Sequence, residues 1–230
     1  MQKFHNLSHI NLRNCKFLQE VPDLLGASNL RELWLDDCTN LIEIHDSVGC
    51  LSKLRELSAM RCRNLKTLPS CLRSTSLKHL NLLGCSSVLR FPEISVVMEN
   101  MQTLDLDSIG ITELPFSIYN LIGLEMLHMA RCPNLKQLPS SIFTLPNLWS
   151  LSASSCVGMS HFVMCEGGDN TSLDCSSTMT LKMENLLFSN CNLSNASLAF
   201  CLSHFTNLIY LDLRFNSITI LPVCIKEHHC

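Results

Sequence analysis

Glycine is scarce in this chain, with 8 residues in 230, and none of them sits in a G-x-x-x-x-G-K-[ST] phosphate loop. That removes the commonest nucleotide-cradling backbone. Charge is also low, at 16% of residues, and nearly balanced, with 17 basic against 20 acidic side chains. Neither a nucleic-acid footprint nor a polybasic membrane patch fits that balance. No apolar run approaches the 18 or so residues of a membrane span, and Met1–Cys15 is broken by His, Asn and Arg, so it does not read as a secretory signal. H-E-x-x-H, G-x-S-x-G and C-x-x-C are all missing. Cys224, His228, His229 and Cys230 are the only metal-like group, crowded together with no matching ligand pair upstream. No catalytic constellation, cofactor, metal or small-molecule substrate is therefore expected.

What the chain does have is 42 Leu and 14 Cys, and both recur in one frame. Aligned on Leu7, Leu30, Leu54, Leu77, Met101, Leu124, Leu148, Met183 and Leu208, the repeats follow at spacings of 23, 24, 23, 24, 23, 24, 35 and 25. An apolar residue stands at +3 and usually at +5. Position +8 is Cys15, Cys38, Cys62, Cys85, Cys132, Cys156 or Cys191, replaced twice, by Ile109 and Asn216. Proline recurs at +14 or +15, as Pro22, Pro69, Pro92, Pro115, Pro139 and Pro222. This is the leucine-rich repeat pattern L-x-x-L-x-L-x-x-N/C-x-L.

The pattern has a direct physical meaning. Apolar side chains alternating at period 2 with polar ones make a short strand with leucines inward, and repeats of this length stack such strands in parallel. The expected fold is an α/β solenoid (a horseshoe) with a parallel concave sheet and short irregular or helical convex segments. Leu33, Leu57, Leu80, Leu104, Leu127, Leu151, Leu186 and Leu211 should form one buried ladder. The +8 slot accepts a small, weakly polar group. Cys fills it as free, buried core material, but donates a hydrogen bond less well than Asn, so a thiol ladder should be weaker than an amide one. Residues 1–230 form one repeat domain on this reading. About eleven extra residues between Leu148 and Met183 place a Ser/Thr-rich loop at 157–182. Phe4 and the last residues fall inside convex returns, so both ends are expected to be truncated.

Function should lie on the concave face, at positions +2, +4 and +6. From these columns the candidate partner-binding residues are Glu32, Trp34, Asp36, Met60, His79, Leu83, Asp105, Met126, His128 and Tyr210. Trp34, Met60 and Leu83 come from three adjacent repeats and suggest an apolar interface anchor. Asp36 and Asp105 could support acid–base work only in an enclosed pocket, which an open strand face does not supply.

Several segments resemble a known family: AsnLeuLysThrLeuPro at 64–69, ArgCysProAsnLeuLysGlnLeuPro at 131–139, LeuProSerSerIle at 138–142 and AspLeuAspSerIleGlyIleThrGluLeuPro at 105–115. They are similar to the leucine-rich repeat region of plant TIR–nucleotide-binding–leucine-rich repeat disease resistance proteins. The resemblance covers everything outside 157–182. It implies a cytoplasmic, or also nuclear, non-catalytic region that takes part in pathogen recognition and defence signalling. It implies protein partners: a pathogen effector, a guarded host protein, or the nucleotide-binding domain of a full-length receptor. Nucleic acid and membrane are not implied. The alternatives are the ectodomain of a cell-surface receptor, against which the missing G-x-I-P convex motif argues, and a generic repeat scaffold.

Overall fold

The computed structural model describes residues 4–159, 161–162, 182–195, 205 and 207–221. Nine strands of three residues each carry the architecture: His9–Asn11, Glu32–Trp34, Glu56–Ser58, His79–Asn81, Thr103–Asp105, Met126–His128, Ser150–Ser152, Asn185–Leu187 and Tyr210–Asp212. They form one sheet in chain order, and every neighbouring pair is parallel. The fold is thus a parallel solenoid. Ile10, Leu33, Leu57, Leu80, Leu104, Leu127, Leu151, Leu186 and Leu211 stand opposite one another along it. The inner seven leucines of that row are buried, and only the outermost members, Ile10 and Leu211, are half-exposed.

Behind this row lie two more. The frame residues from Leu30 to Met183 are buried, as are the +5 side chains from Leu35 to Phe188. The +5 row is not uniform: Ala153 is followed on the next rung by Phe188, a small and a large residue sharing one layer. Close packing tolerates such alternation because volume is conserved across the pair.

The convex returns follow from their local sequences. Pro115 and Pro139 hold φ at −66° and precede the 3-10 helices Phe116–Asn120 and Ser140–Thr144, whose central Ile118 and Ile142 are buried. A third 3-10 helix, Asp46–Cys50, is capped by the His45 ring, which accepts from the Ser47 N–H. Elsewhere the return is extended: Glu20–Val21 pairs with Glu43–Ile44, and Cys71–Leu72 with Glu93–Ile94. His161–Phe162 pairs with Gln137–Leu138 in the same way, so the backbone of repeat seven keeps the pattern into the segment expected to be a loop. Residues 160 and 163–181 of that segment lie outside the described residues.

One feature of every repeat is hard to see in the sequence. The +7 residue (Asn14, Asp37, Arg61, Gly84, Ser108, Arg131, Ser155, Asn190 or Phe215) has φ between 56° and 77° in all nine turns. This left-handed residue aims its N–H at the +6 carbonyl of the next repeat, as in Asp37 to Met60 and Arg61 to Leu83, at 2.8 and 2.7 Å. It then turns the chain so that the +8 side chain points inward. The conformation costs a non-glycine residue about 1–2 kcal/mol, and only Gly84 escapes it.

The inward +8 thiols form a ladder of their own. Cys38, Cys62, Cys85, Cys132, Cys156 and Cys191 are fully buried, and each Sγ–H donates to the +5 carbonyl of the preceding repeat at 3.0–3.2 Å. The nine described cysteines are free thiols. Asn216 shows what the alternative residue does. Its amide donates to the Phe188 and Leu213 carbonyls at 2.6 and 2.9 Å, and its oxygen accepts from the N–H groups of Cys191 and Leu193. Burial pushes the Cys62 and Cys85 thiols up to about 12 and Cys191 up to about 11. Cys38 is also raised by burial, and Cys156 by its contact with Cys132 and by burial.

Three outcomes are expected. Leu104→Ala, which empties a fully buried site, should lower unfolding free energy by about 2–5 kcal/mol in a urea titration. Ser155→Gly should raise it by about 0.5–1 kcal/mol by relieving the left-handed turn, while Gly84→Ala should lower it by about 1 kcal/mol. The raised thiol pKa values also fix the alkaline limit. Below the unfolded thiol pKa neither state is ionised, so stability is intact. Above about pH 9 the unfolded chain releases protons that the folded thiols retain, and stability falls by up to about 1.4 kcal/mol per pH unit for each such thiol until about pH 12. A melting series from pH 7 to 11 checks this, and a flat profile would contradict the buried ladder.

Candidate concave recognition surface

The strand register arranges the outward side chains in columns. Glu32, His79, Met126 and Tyr210 share the +2 column, and Trp34, Asp105 and His128 the +4 column. Asp36, Met60 and Leu83 occupy +6, just beyond the strand ends. All ten candidates belong to this face, but they are not equally available. Tyr210, half-exposed on the ninth rung, is three rungs beyond Met126, roughly 14 Å at sheet spacing, and so lies apart from the rest.

Asp36 departs most from expectation. It is 3% exposed, not an open surface carboxylate. Its oxygens accept from Arg13 Nε at 2.6 Å, Ser58 Oγ at 2.5 Å and the Met60 N–H at 3.0 Å. The chain turns off the sheet at +6, and a short acidic side chain there folds back onto the next rung's N–H. Asp107 does the same to the Ala130 N–H at 2.7 Å. Asp36 is therefore a structural pin between the first three repeats.

Trp34 is half-buried in a network of its neighbours. The Arg13 guanidinium carbon lies 4.6 Å from its ring centroid, and the His9 ring centroid is 6.4 Å away. The indole N–H donates to Glu56 at 3.0 Å. Glu32 faces His9 at 3.4 Å. The anchor expected from sequence is thus a preordered one, held between a cation and a carboxylate. Arg13 and Glu56 are the residues sequence reasoning left off the candidate list. The signal was available, because each sits one repeat from Trp34 in an adjoining column. Met60 and Leu83, half-buried on the next two rungs, continue the surface as plain apolar contact area.

Further along, Asp105 stands opposite His128. Burial pushes the Asp105 carboxyl above the ordinary range, against its bond from the Asp107 N–H. Ion pairs edge the face one position further out. Arg61 binds Asp37 through two nitrogens at 2.7 and 2.6 Å, and this bond holds the Asp37 carboxyl low. Within the columns themselves, Arg214 at +6 grips Asp212 at +4 of the last rung and likewise holds that carboxyl low. Among the described residues no group of three or more His, Cys, Asp or Glu is arranged to hold a metal. Cys224 and His228–Cys230 lie outside the described residues. No described helix is long and apolar enough to cross a membrane.

A nine-rung parallel sheet whose repeats are pinned by inward leucines and +8 Cys or Asn defines a leucine-rich repeat solenoid. Residues 72–230 match the family described as disease resistance protein RPS4B-like, leucine-rich repeats, and residues 6–27 match a leucine-rich repeat. The chain belongs to this family of disease-resistance leucine-rich repeats. It is 39% identical over 152 residues to TMV resistance protein N of Nicotiana glutinosa, covering 66% of this chain and 13% of that protein. It is 31% identical over 230 residues to disease resistance protein RPP5 of Arabidopsis thaliana, covering 99% of this chain and 14% of that protein. The chain thus spans about an eighth of the length of these relatives. Among solved structures, the leucine-rich repeat domain of the type III effector XopL superposes with a TM-score of 0.70 at 26% identity, over 90% of this chain and 69% of that domain.

The Asp36 pin can be checked directly. Asp36→Ala leaves the Met60 N–H, the Ser58 hydroxyl and Arg13 without their acceptor. Unfolding free energy should fall by about 2–4 kcal/mol, measured by denaturant titration. His79→Ala, on the exposed part of the same face, should shift it by no more than about 0.5 kcal/mol.

Proposed function

We propose that this chain is the protein-interaction and regulatory repeat region of an intracellular plant immune receptor, working in the cytoplasm, or also in the nucleus. On this reading the concave sheet recognises a protein: a pathogen effector, a guarded host protein, or the nucleotide-binding domain of the receptor to which the repeats belong. Glu32, Trp34, Met60, His79, Leu83, Asp105, Met126, His128 and Tyr210 supply the surface, and none of them acts as a catalyst. The observation that carries the proposal is the preordered Trp34, flanked by Arg13 and Glu56 and continued by Met60 and Leu83. A rigid aromatic beside apolar neighbours is the composition of an interface centre. Disease-resistance relatives such as protein N and RPP5 support the biological setting. A cell-surface ectodomain is disfavoured by the L-P-S-S-I convex segment and by the column of free, buried thiols.

The test places Met60→Glu and Leu83→Glu together in the full-length receptor that carries these repeats. Both side chains are half-buried on the surface, so accumulation and melting should stay near normal, within about 0.5 kcal/mol for each change. The defence response should be lost or become constitutive. An unaltered response in a normally accumulating double variant would move recognition off this face.

A further inference from the structure

The concave sheet is open, and the cavity that concerns us lies elsewhere, on the flank where three consecutive repeats turn into their convex returns. Its volume is about 210 Å³, and its wall includes Glu93, Glu113, Leu114, Pro115, Phe116 and Pro139. Small-molecule sites usually run from about 300 to 1,000 Å³. This one is below that range and has room for a single long side chain.

The chemistry of the wall selects which side chain. Two carboxylates border a notch whose wall otherwise combines Leu114, Pro115, Phe116 and Pro139 with the polar Gln137 and Ser140. Glu93 accepts from Ser117 Oγ at 2.5 Å, which fixes it without neutralising it. Neither Glu93 nor Glu113 belongs to any ion pair among the described residues, and Lys136, the adjacent cation in sequence, pairs with neither. Phe116 is 56% exposed and is braced by Tyr119, 45% exposed, in an edge-on contact at 5.5 Å between ring centroids. An aliphatic stem against proline and leucine, a cationic head between carboxylates and an aromatic ring alongside are the complement of arginine or lysine.

We propose that this flank notch is a second docking point, which takes an arginine or lysine side chain presented by a partner protein. Charge complementarity names the side chain. The aromatic shelf of Phe116 and Tyr119 names its source, because a free amine would leave that shelf exposed, whereas a protein carrying the basic residue among apolar neighbours covers it. The notch is separate from the concave face and does not depend on recognition there.

The test uses the full chain and two tripeptides, acetyl-Leu-Arg-Leu-amide and acetyl-Leu-Gln-Leu-amide, followed by NMR of the aromatic side chains. The arginine peptide should shift the Phe116 and Tyr119 ring signals in a saturable, salt-sensitive way, and the glutamine peptide should bind about tenfold more weakly or not at all. E93Q/E113Q should lose about tenfold in affinity for the arginine peptide, and Phe116→Ala should weaken it as well. Unchanged melting temperatures in these variants show that the fold is intact. Met60→Glu/Leu83→Glu should bind the peptide normally, which separates this site from the concave one. Equal binding of both peptides, full binding by E93Q/E113Q, or guanidinium chloride alone competing as well as the arginine peptide would each overturn the proposal.

Discussion

The structure depends on stacking. A single repeat offers one three-residue strand and a handful of apolar side chains, and cannot bury that face alone. Burial comes only when the next rung covers it, as Leu57 is covered by Leu33 and Leu80. Every other feature serves that register. The +7 residue turns left-handed to reach the next repeat's carbonyl, the +8 thiol reaches back to the previous one, and Asp36 ties three rungs together through Arg13, Ser58 and the Met60 N–H. Nearly all the stabilising contacts are therefore between neighbours. Ile10 and Leu211, on the outermost described rungs, are half-exposed.

The same constraint explains why cysteine is tolerated in a slot where the Asn216 side chain bonds several backbone groups at once. On the inner rungs the stacked +8 position is sealed from water, whereas Cys15 on the first rung is exposed, and the inner thiols need only be small and give one hydrogen toward the +5 carbonyl. A thiol does this weakly but at no desolvation cost comparable to that of an unpaired amide. The consequence is chemical quietness along most of the column: burial raises the Cys38, Cys62, Cys85 and Cys191 thiols, so these are neither nucleophiles nor ready metal ligands at neutral pH, whereas its hydrogen bond with Cys156 holds Cys132 below the ordinary thiol range. Six of the nine described cysteines are buried in this column, and their recurrence reports packing geometry.

Stacking also decides what kind of surface results. Side chains one repeat apart in sequence become neighbours about 4.8 Å apart, so residues 22–24 positions distant meet on one face. The Trp34 network is built from three repeats in this way, as is the convex notch of Glu93, Glu113, Phe116 and Pro139, and the Arg61–Asp37 pair from two. Each is a composite of successive turns, so recognition on such a scaffold can change one residue at a time while the frame beneath it stays constant.

Most of the fold was legible in the sequence, because period 2 within a strand and the recurrence near 24 residues together specify which leucines point inward and which rungs meet. The buried ladder, the free cysteines, the convex prolines and the concave columns all follow from counting. The site was legible only as a set of columns. Counting could place Trp34 and Asp36 on the same face, but it could not show that Asp36 folds under that face while Trp34 is clasped above it. That difference arises at the point where the chain leaves the strand: period-2 alternation ends there, and the left-handed +7 residue swings +6 toward the next rung's N–H. Side-chain fate at such a turn depends on partners supplied by neighbouring repeats, here Arg13, Glu56, Ser58 and Met60. Periodicity establishes that they are adjacent, and only the tertiary structure decides which of them pair.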